Sequence, residues 1–182
     1  AVISFDEHSE WIRDLQEAMS SEAFRLYFSD DPLGVSLAGS LKNIFAIACG
    51  CCDGLGLGDN AKAALLTRSL AEMMEIGTAL GGRKETFSGL SGIGDLVATS
   101  YGEWSRNRTF GEKLGCGERV EEQLEGRKTV VEGVLSVRWY RERCKKMGLS
   151  TPILEEVYSL VYEAKSPDRA LSDLMGRELK AE

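Results

Sequence analysis

The chain has 182 residues, 43% hydrophobic and 28% charged. That balance excludes a disordered chain and is enough to build a domain with a real core. A formal net charge of −7 excludes a general nucleic-acid binder, which needs a basic surface, but leaves room for a local pocket that takes a small anion. No apolar run approaches the roughly 18 residues of a membrane span, so no membrane span is expected. No basic segment followed by an apolar one marks a signal peptide, and the expected setting is a reducing cytoplasm.

The first residues, "AVIS", read as a short β-like run, and an acidic amphipathic segment follows at once. A lone strand is not stable without partners, so this run is expected to be the last strand of a preceding domain. Asp6 or Ser9 is placed to cap a first helix with Trp11, Ile12, Leu15 and Met19 at helical spacing. The single histidine, His8, falls on the surface of that segment. "FRLYF", Phe24 to Phe28, alternates and reads as a strand. Asp30-Asp31-Pro32 then looks like a helix start, with a cap followed by proline in the first turn.

From Leu33 to about Cys52 the pattern is helical and almost wholly apolar or small. Only Ser36, Ser40, Lys42 and Asn43 interrupt it, and a helix apolar nearly all round is expected in the middle of a domain. Its "CGCC", with Cys49, Cys51 and Cys52, invites a metal reading. The total of five cysteines is odd, however, and no second Cys-x-x-Cys follows. Small buried hydrophobes are the favoured reading.

"DGLGLGDN" breaks this helix, and a second long one is expected from Asn60 to Leu80, ended by Gly81-Gly82. "GLGLG" superficially resembles a dinucleotide fingerprint, but its spacing is wrong and a helix precedes it rather than a strand. It reads as a tight connection, with Asp59 or Asn60 as the next cap. A glycine-rich stretch with short helical pieces follows. Short helices are expected over Phe110 to Leu114 and Val120 to Leu124. Longer ones are expected from Val130 to Met147, stopped by Gly148, from Pro152 to Tyr162, and from Pro167 to Leu179. Roughly two thirds of the chain is then helix, twice the globular average, which makes the fold class mainly α.

Few residues stand out as chemistry. Lys42 lies mid-way along the most apolar helix, beside Asn43. Either its stem packs while its head reaches water, or it lines a cleft, partly desolvated, as a proton donor and acceptor. In "GLSGIGD" three glycines precede Asp95 and let backbone approach a ligand closely. Arg106 and Arg108 then flank Asn107, with Ser105 as a helix cap. Arginine at a helix N-terminus suits a phosphate, while an arginine–aspartate surface network with an ordinary serine cap fits equally. Glu132, in "TVVEGV", needs no more than the helix dipole to explain it. No serine–histidine–aspartate arrangement and no metal site can be assembled.

Five blocks carry a resemblance: "SLKNIFAIACGCCDGLGLGDNAKAALLTRSLAEM", "GLSGIGDLVAT", "SRNRTFGEKLG", "VVEGV" and "TPILEEVY". In order and spacing they resemble the C-terminal domain of NAD(P)-dependent glycerol-3-phosphate dehydrogenases of the bacterial type, over essentially the whole chain. The resemblance implies an all-helical domain of the 6-phosphogluconate-dehydrogenase-like type. Residues 1–28 would be a remnant of the last Rossmann strand with a linking helix and short strand, and 29–182 the helical substrate domain. It implies reduction of dihydroxyacetone phosphate to sn-glycerol 3-phosphate for phospholipid synthesis. NAD or NADP would be bound mainly by an N-terminal Rossmann domain, the expected partner of this one, and a homodimer is compatible with the family. By resemblance Lys42 is the catalytic proton acceptor and donor. Lys42, Asn43, Asp95, Thr99, Ser105, Arg106 and Asn107 bind substrate, and Arg106, Val130 and Glu132 meet the cofactor. No glycine-rich cofactor motif precedes these blocks, so the chain is expected to fold without turning over by itself.

Two rival readings are a related β-hydroxyacid dehydrogenase domain and a helical oligomerisation module without chemistry. Under the second, Lys42, Asp95 and Arg106 would lie apart, more than about 15 Å from one another, too far to serve one substrate.

Overall fold

The computed structural model describes residues 1–5, 11–126 and 129–178. Asp6, His8, Ser9 and Leu179, named above, lie outside the described residues. At the N-terminus β1 (Val2–Ser4) pairs in parallel with β2 (Tyr27–Ser29), with Val2 opposite Tyr27 and Ser4 opposite Ser29. Helix α1 (Trp11–Met19) lies between them in sequence. Phe5 sits edge-on to Trp11, ring centroids 5.0 Å apart, and Gln16 Nε2 donates to the Leu26 carbonyl at 2.7 Å.

The second strand therefore begins three residues later than Phe24. Residues 21–26 are instead held as a turn: Ser21 N–H donates to the Phe24 carbonyl at 2.7 Å and Leu26 N–H to Ser20 Oγ at 3.2 Å. Leu26 is buried and Phe24 exposed, so the alternation read in "FRLYF" reflects turn packing.

Helix α2 (Pro32–Gly54) starts where proline predicts. Asp31 caps it, its carboxylate accepting the Gly34 N–H at 2.8 Å. By length and composition α2 is apolar enough to cross a bilayer, which corrects the expectation that no run approaches that length. Lys42 and Asn43 break the run by eye, yet the average over the helix stays high. Its most apolar window is 72% buried inside the fold, as the core helix of a domain would be. Cys49, Cys51 and Cys52 are buried there as free thiols. Burial pushes the Cys49 thiol up to about 11 and that of Cys51 up to about 12, so both stay protonated and unreactive.

Around α2 wrap α3 (Asp59–Ala79), α4 (Lys84–Phe87), α5 (Asp95–Tyr101), α6 (Arg106–Gly115), α8 (Glu132–Met147) and α9 (Pro152–Tyr162). Helix α7 (Val120–Leu124) links α6 to α8, and α10 (Pro167–Met175) packs on α9. The cap of α3 is Gly58, not Asp59 or Asn60, and it makes no side-chain cap bond. The linker passes through positive φ at Gly56 and Gly58 (67° and 82°), and the chain enters the helix straight from that turn. Helix α8 begins at Glu132, two residues after Val130, and ends on left-handed Gly148. The core gathers Phe45, Phe87, Phe110, Met73, Leu96 and Leu154, all fully buried.

The α2–α6 contact positions everything that follows. A Cβ on Gly50 would run into the carbonyl of Arg108, and one on Gly111 into that of Ile47. The two backbones touch because no side chain stands between them. This draws the start of α6 against the middle of α2.

Candidate active site

Consecutive residues on a helix point about 100° apart, so Lys42 and Asn43 reach different neighbours. Lys42 faces α5. Its Nζ lies 2.5 Å from Asp95 Oδ2, with side-chain exposures of 20% and 39%, so the ammonium is neither sealed in the core nor free in water. Asp95 owes its position to a five-residue π-helical turn, Leu90–Gly94, that feeds directly into α5. Thr99, one turn on, donates its hydroxyl to Asp95 Oδ1 at 3.2 Å.

Asn43 faces α6 and α8 and is buried. Its Nδ2 donates to Glu132 Oε2 at 2.9 Å and to the Gly39 carbonyl at 3.2 Å. Its Oδ1 accepts from Asn107 Nδ2 at 2.9 Å, and Asn107 Oδ1 accepts the Gly133 N–H at 2.9 Å. Two buried amides thus lock α2, α6 and α8 together with their donors and acceptors matched, the only economical state for buried polar groups.

At the outer end of this chain Arg106 Nη2 lies 3.7 Å from Glu132 Oε1, both side chains about half exposed (50% and 56%). Ser105 caps α6, accepting the Arg108 N–H at 3.2 Å. The other N–H groups of that first turn have no carbonyl within the helix to bond, and the guanidinium beside them adds positive charge. Val130 stands exposed just before α8.

Asp95, Lys42, Asn43, Asn107, Glu132 and Arg106 therefore lie along one connected path across α5, α2, α6 and α8. From Asp95 through Lys42 and Asn43 to Glu132 and Arg106 no non-covalent link exceeds 3.7 Å. The two arginines of the "SRNR" turn part company, since helix positions two apart point about 200° from each other. Arg106 stays at the site. Arg108 turns inward to Asp53 at 2.8 Å and to Glu112 at 3.1 Å. Asp53 also holds Lys62, 2.7 Å away and only 6% exposed. Sequence reading missed this four-charge group, because Asp53 reads as a loop residue after a helix and Lys62 as one lysine on a helical face.

Residues 31–172 match the family model described as NAD-dependent glycerol-3-phosphate dehydrogenase C-terminus. A protein named glycerol-3-phosphate dehydrogenase [NAD(P)+] from Syntrophotalea carbinolica is 50% identical over 170 residues, 93% of this chain and 51% of that protein. One of the same name from Solidesulfovibrio magneticus is 47% identical over 93% of this chain and 52% of its own length. The crystal structure of glycerol-3-phosphate dehydrogenase from Coxiella burnetii superposes with a TM-score of 0.87 at 38% identity, covering 97% of this chain and 55% of that one. The chain spans about half the length of these relatives. With an all-helical domain, a small N-terminal strand pair and this family match over residues 31–172, the chain belongs to the family of NAD-dependent glycerol-3-phosphate dehydrogenase C-terminal domains.

Proposed function

We propose that this chain is the substrate domain of an enzyme that reduces dihydroxyacetone phosphate to sn-glycerol 3-phosphate, the backbone of phospholipids. The observation that carries the reading is Lys42. It is a partly buried ammonium on the central apolar helix, held 2.5 Å from Asp95 and adjacent in sequence to an amide that reaches the Arg106 turn through Asn107.

The nicotinamide of NAD or NADP, when bound, supplies the hydride. Reduction puts negative charge on the ketone oxygen; Lys42 stabilises it and gives up a proton to make the alcohol. In the reverse direction Lys42 takes the proton back. Asp95, steadied by Thr99, holds the ammonium on the substrate side of α2. Ser105 and Arg106 grip the substrate, the guanidinium on the phosphate through its planar fork, while Asn43 and Asn107, buried and bonded to each other, hold the start of α6 behind them rather than reaching the substrate as the resemblance implied. An anchored phosphate fixes the ketone relative to the ammonium, and that orientation is worth several powers of ten in rate.

The rim fits a nicotinamide cofactor approached from outside. Arg106 and Glu132 are a loose, half-exposed pair at 3.7 Å, with Val130 exposed beside them. They offer a cation, an acceptor and an apolar edge without enclosing a site. Most of the cofactor would be held by a separate Rossmann half, with residues 1–28 continuing its sheet and 29–182 forming the substrate domain. Without that half the chain is not expected to turn over. Five free cysteines, four of them buried, support a reducing cytoplasmic setting.

The test joins this chain to a complete cofactor-binding half and follows oxidation of NADPH and NADH by dihydroxyacetone phosphate. Lys42→Ala is expected to lower kcat by about 10²-fold or more with a much smaller change in KM. An unchanged kcat with a raised KM would remove Lys42 from proton transfer.

A further inference from the structure

The Arg106 side chain is half exposed, and its ion pair with Glu132 is 3.7 Å long. The segment before it offers no apolar anchor: Trp104 is 96% exposed, and Glu103 and Ser105 are not buried. Asn107 ties the first turn of α6 to α2 and α8, and the Gly102–Ser105 turn before it needs a tether of its own.

A neighbouring arginine reaches that turn. Arg108 is two residues on, its side chain only 15% exposed. Its Nε donates to the Gly102 carbonyl at 3.3 Å, its Nη1 to Asp53 at 2.8 Å, and its Nη2 lies 3.1 Å from Glu112. The Gly102 carbonyl also accepts the Ser105 N–H at 3.1 Å. One guanidinium therefore ties the C-terminal end of α5, the far end of α2 and the first turns of α6 to a single point. Lys62, from α3, shares Asp53 Oδ2 at 2.7 Å and lies 4.2 Å over the Tyr101 ring, next to Gly102. Two cations and two carboxylates balance, so this half-buried group carries no stray charge.

We infer that Arg108 is a positioning residue for the phosphate clamp: by holding the Gly102–Ser105 turn onto Asp53 it sets the place and aim of Arg106, and so the preference for a phosphorylated three-carbon ketone. The inference rests on the proposed substrate site. Lysine at this position keeps the charge and the pairing with Asp53. Its single ammonium cannot bond Asp53, Glu112 and the Gly102 carbonyl together in the guanidinium's planar pattern. The turn then loosens while the helices stay packed.

The experiment uses the chain joined to its cofactor-binding half and compares kcat/KM for dihydroxyacetone phosphate with that for unphosphorylated dihydroxyacetone. Arg108→Lys is expected to lower the first by about 10-fold or more, mostly through KM, and to leave the second within about twofold. Loss on both substrates alike, or on neither, overturns the positioning role, because general damage to the fold does not discriminate by phosphate. Should Arg108→Lys fail to fold, Asp53→Asn carries the same comparison, with a smaller selective loss expected and an equal loss on both substrates overturning the inference. Arg106→Lys separates the two levels. If it loses phosphate preference and Arg108→Lys does not, only the positioning role falls. If it keeps full preference, the clamp itself falls and the inference with it.

Discussion

Glu72 sets two forces against each other at one carboxyl. It sits on α3, 5% exposed, and accepts the N–H groups of Ile153 and Leu154 at 3.0 and 2.8 Å. It thereby caps α9 from another helix, where Thr151 makes no side-chain cap bond. Those N–H bonds favour the charged form. Burial opposes it and wins, pushing the carboxyl from 4.5 up to about 7, with the Glu75 carboxylate adding to the rise and the Arg177 guanidinium opposing it. A raised acid pKa means that the folded chain holds this proton more tightly than the unfolded one. The stabilisation is full below about pH 4.5 and is lost as pH climbs through about 7. Glu72→Gln removes the titration, so between about pH 5 and pH 8 the native chain should lose stability relative to the variant by on the order of 3 kcal/mol. Thermal midpoints of both across that range give the answer, and a constant gap would refute it. Glu72 was invisible in the sequence for a physical reason: its partners are backbone N–H groups some eighty positions away, which carry no residue signature. Lys42 was legible because a charge inside an apolar run stands out. Arg106 and Arg108 look alike in sequence and were separated only by the direction each takes from α6.

Helix boundaries follow the same division between local and distant causes. Pro32, Pro152 and Pro167 each mark a first helical residue, and Gly148 ends α8; these are local backbone preferences that read directly off the residues. The start of α6 at Arg106 rather than Phe110, and the late start of β2, depend on what the segment packs against. The α2–α6 contact was equally hidden, since glycines in a helix mean little until the opposing backbone is known. It gives a paired prediction. A methyl at position 111 meets the Ile47 carbonyl, whereas one at position 39, also helical, meets nothing within 4 Å. Gly111→Ala should therefore destabilise the chain by about 1–3 kcal/mol as α6 is pushed off α2. Gly39→Ala should stabilise it by up to about 1 kcal/mol through helix propensity. Urea midpoints of the two variants should move in opposite directions. A shift of the same sign in both would mean that the close approach does not control packing.

The fold as a whole is uneven in how strongly its parts are held. Around α2 the neighbouring helices bury a continuous core, while at the N-terminus two three-residue strands form a parallel pair with no further strand beside them among the described residues. Such a pair is marginal in water, and parallel strands are ordinarily buried within larger sheets. The proposed division of the chain, 1–28 with a cofactor-binding half and 29–182 as the helical domain, turns this asymmetry into a measurable difference. In the chain alone, amides of Val2–Ser4 and Tyr27–Ser29 should exchange with solvent close to the unprotected rate, while those of Ile44 to Ile47 exchange only on global opening. Joined to the cofactor-binding half, the strands should slow by about 10²-fold or more as their open edges gain partners, and Ile44 to Ile47 should change little. Strands as protected as α2 in the isolated chain would make the first 28 residues a fixed part of the helical domain. The sheet would then no longer mark the proposed boundary between the two parts.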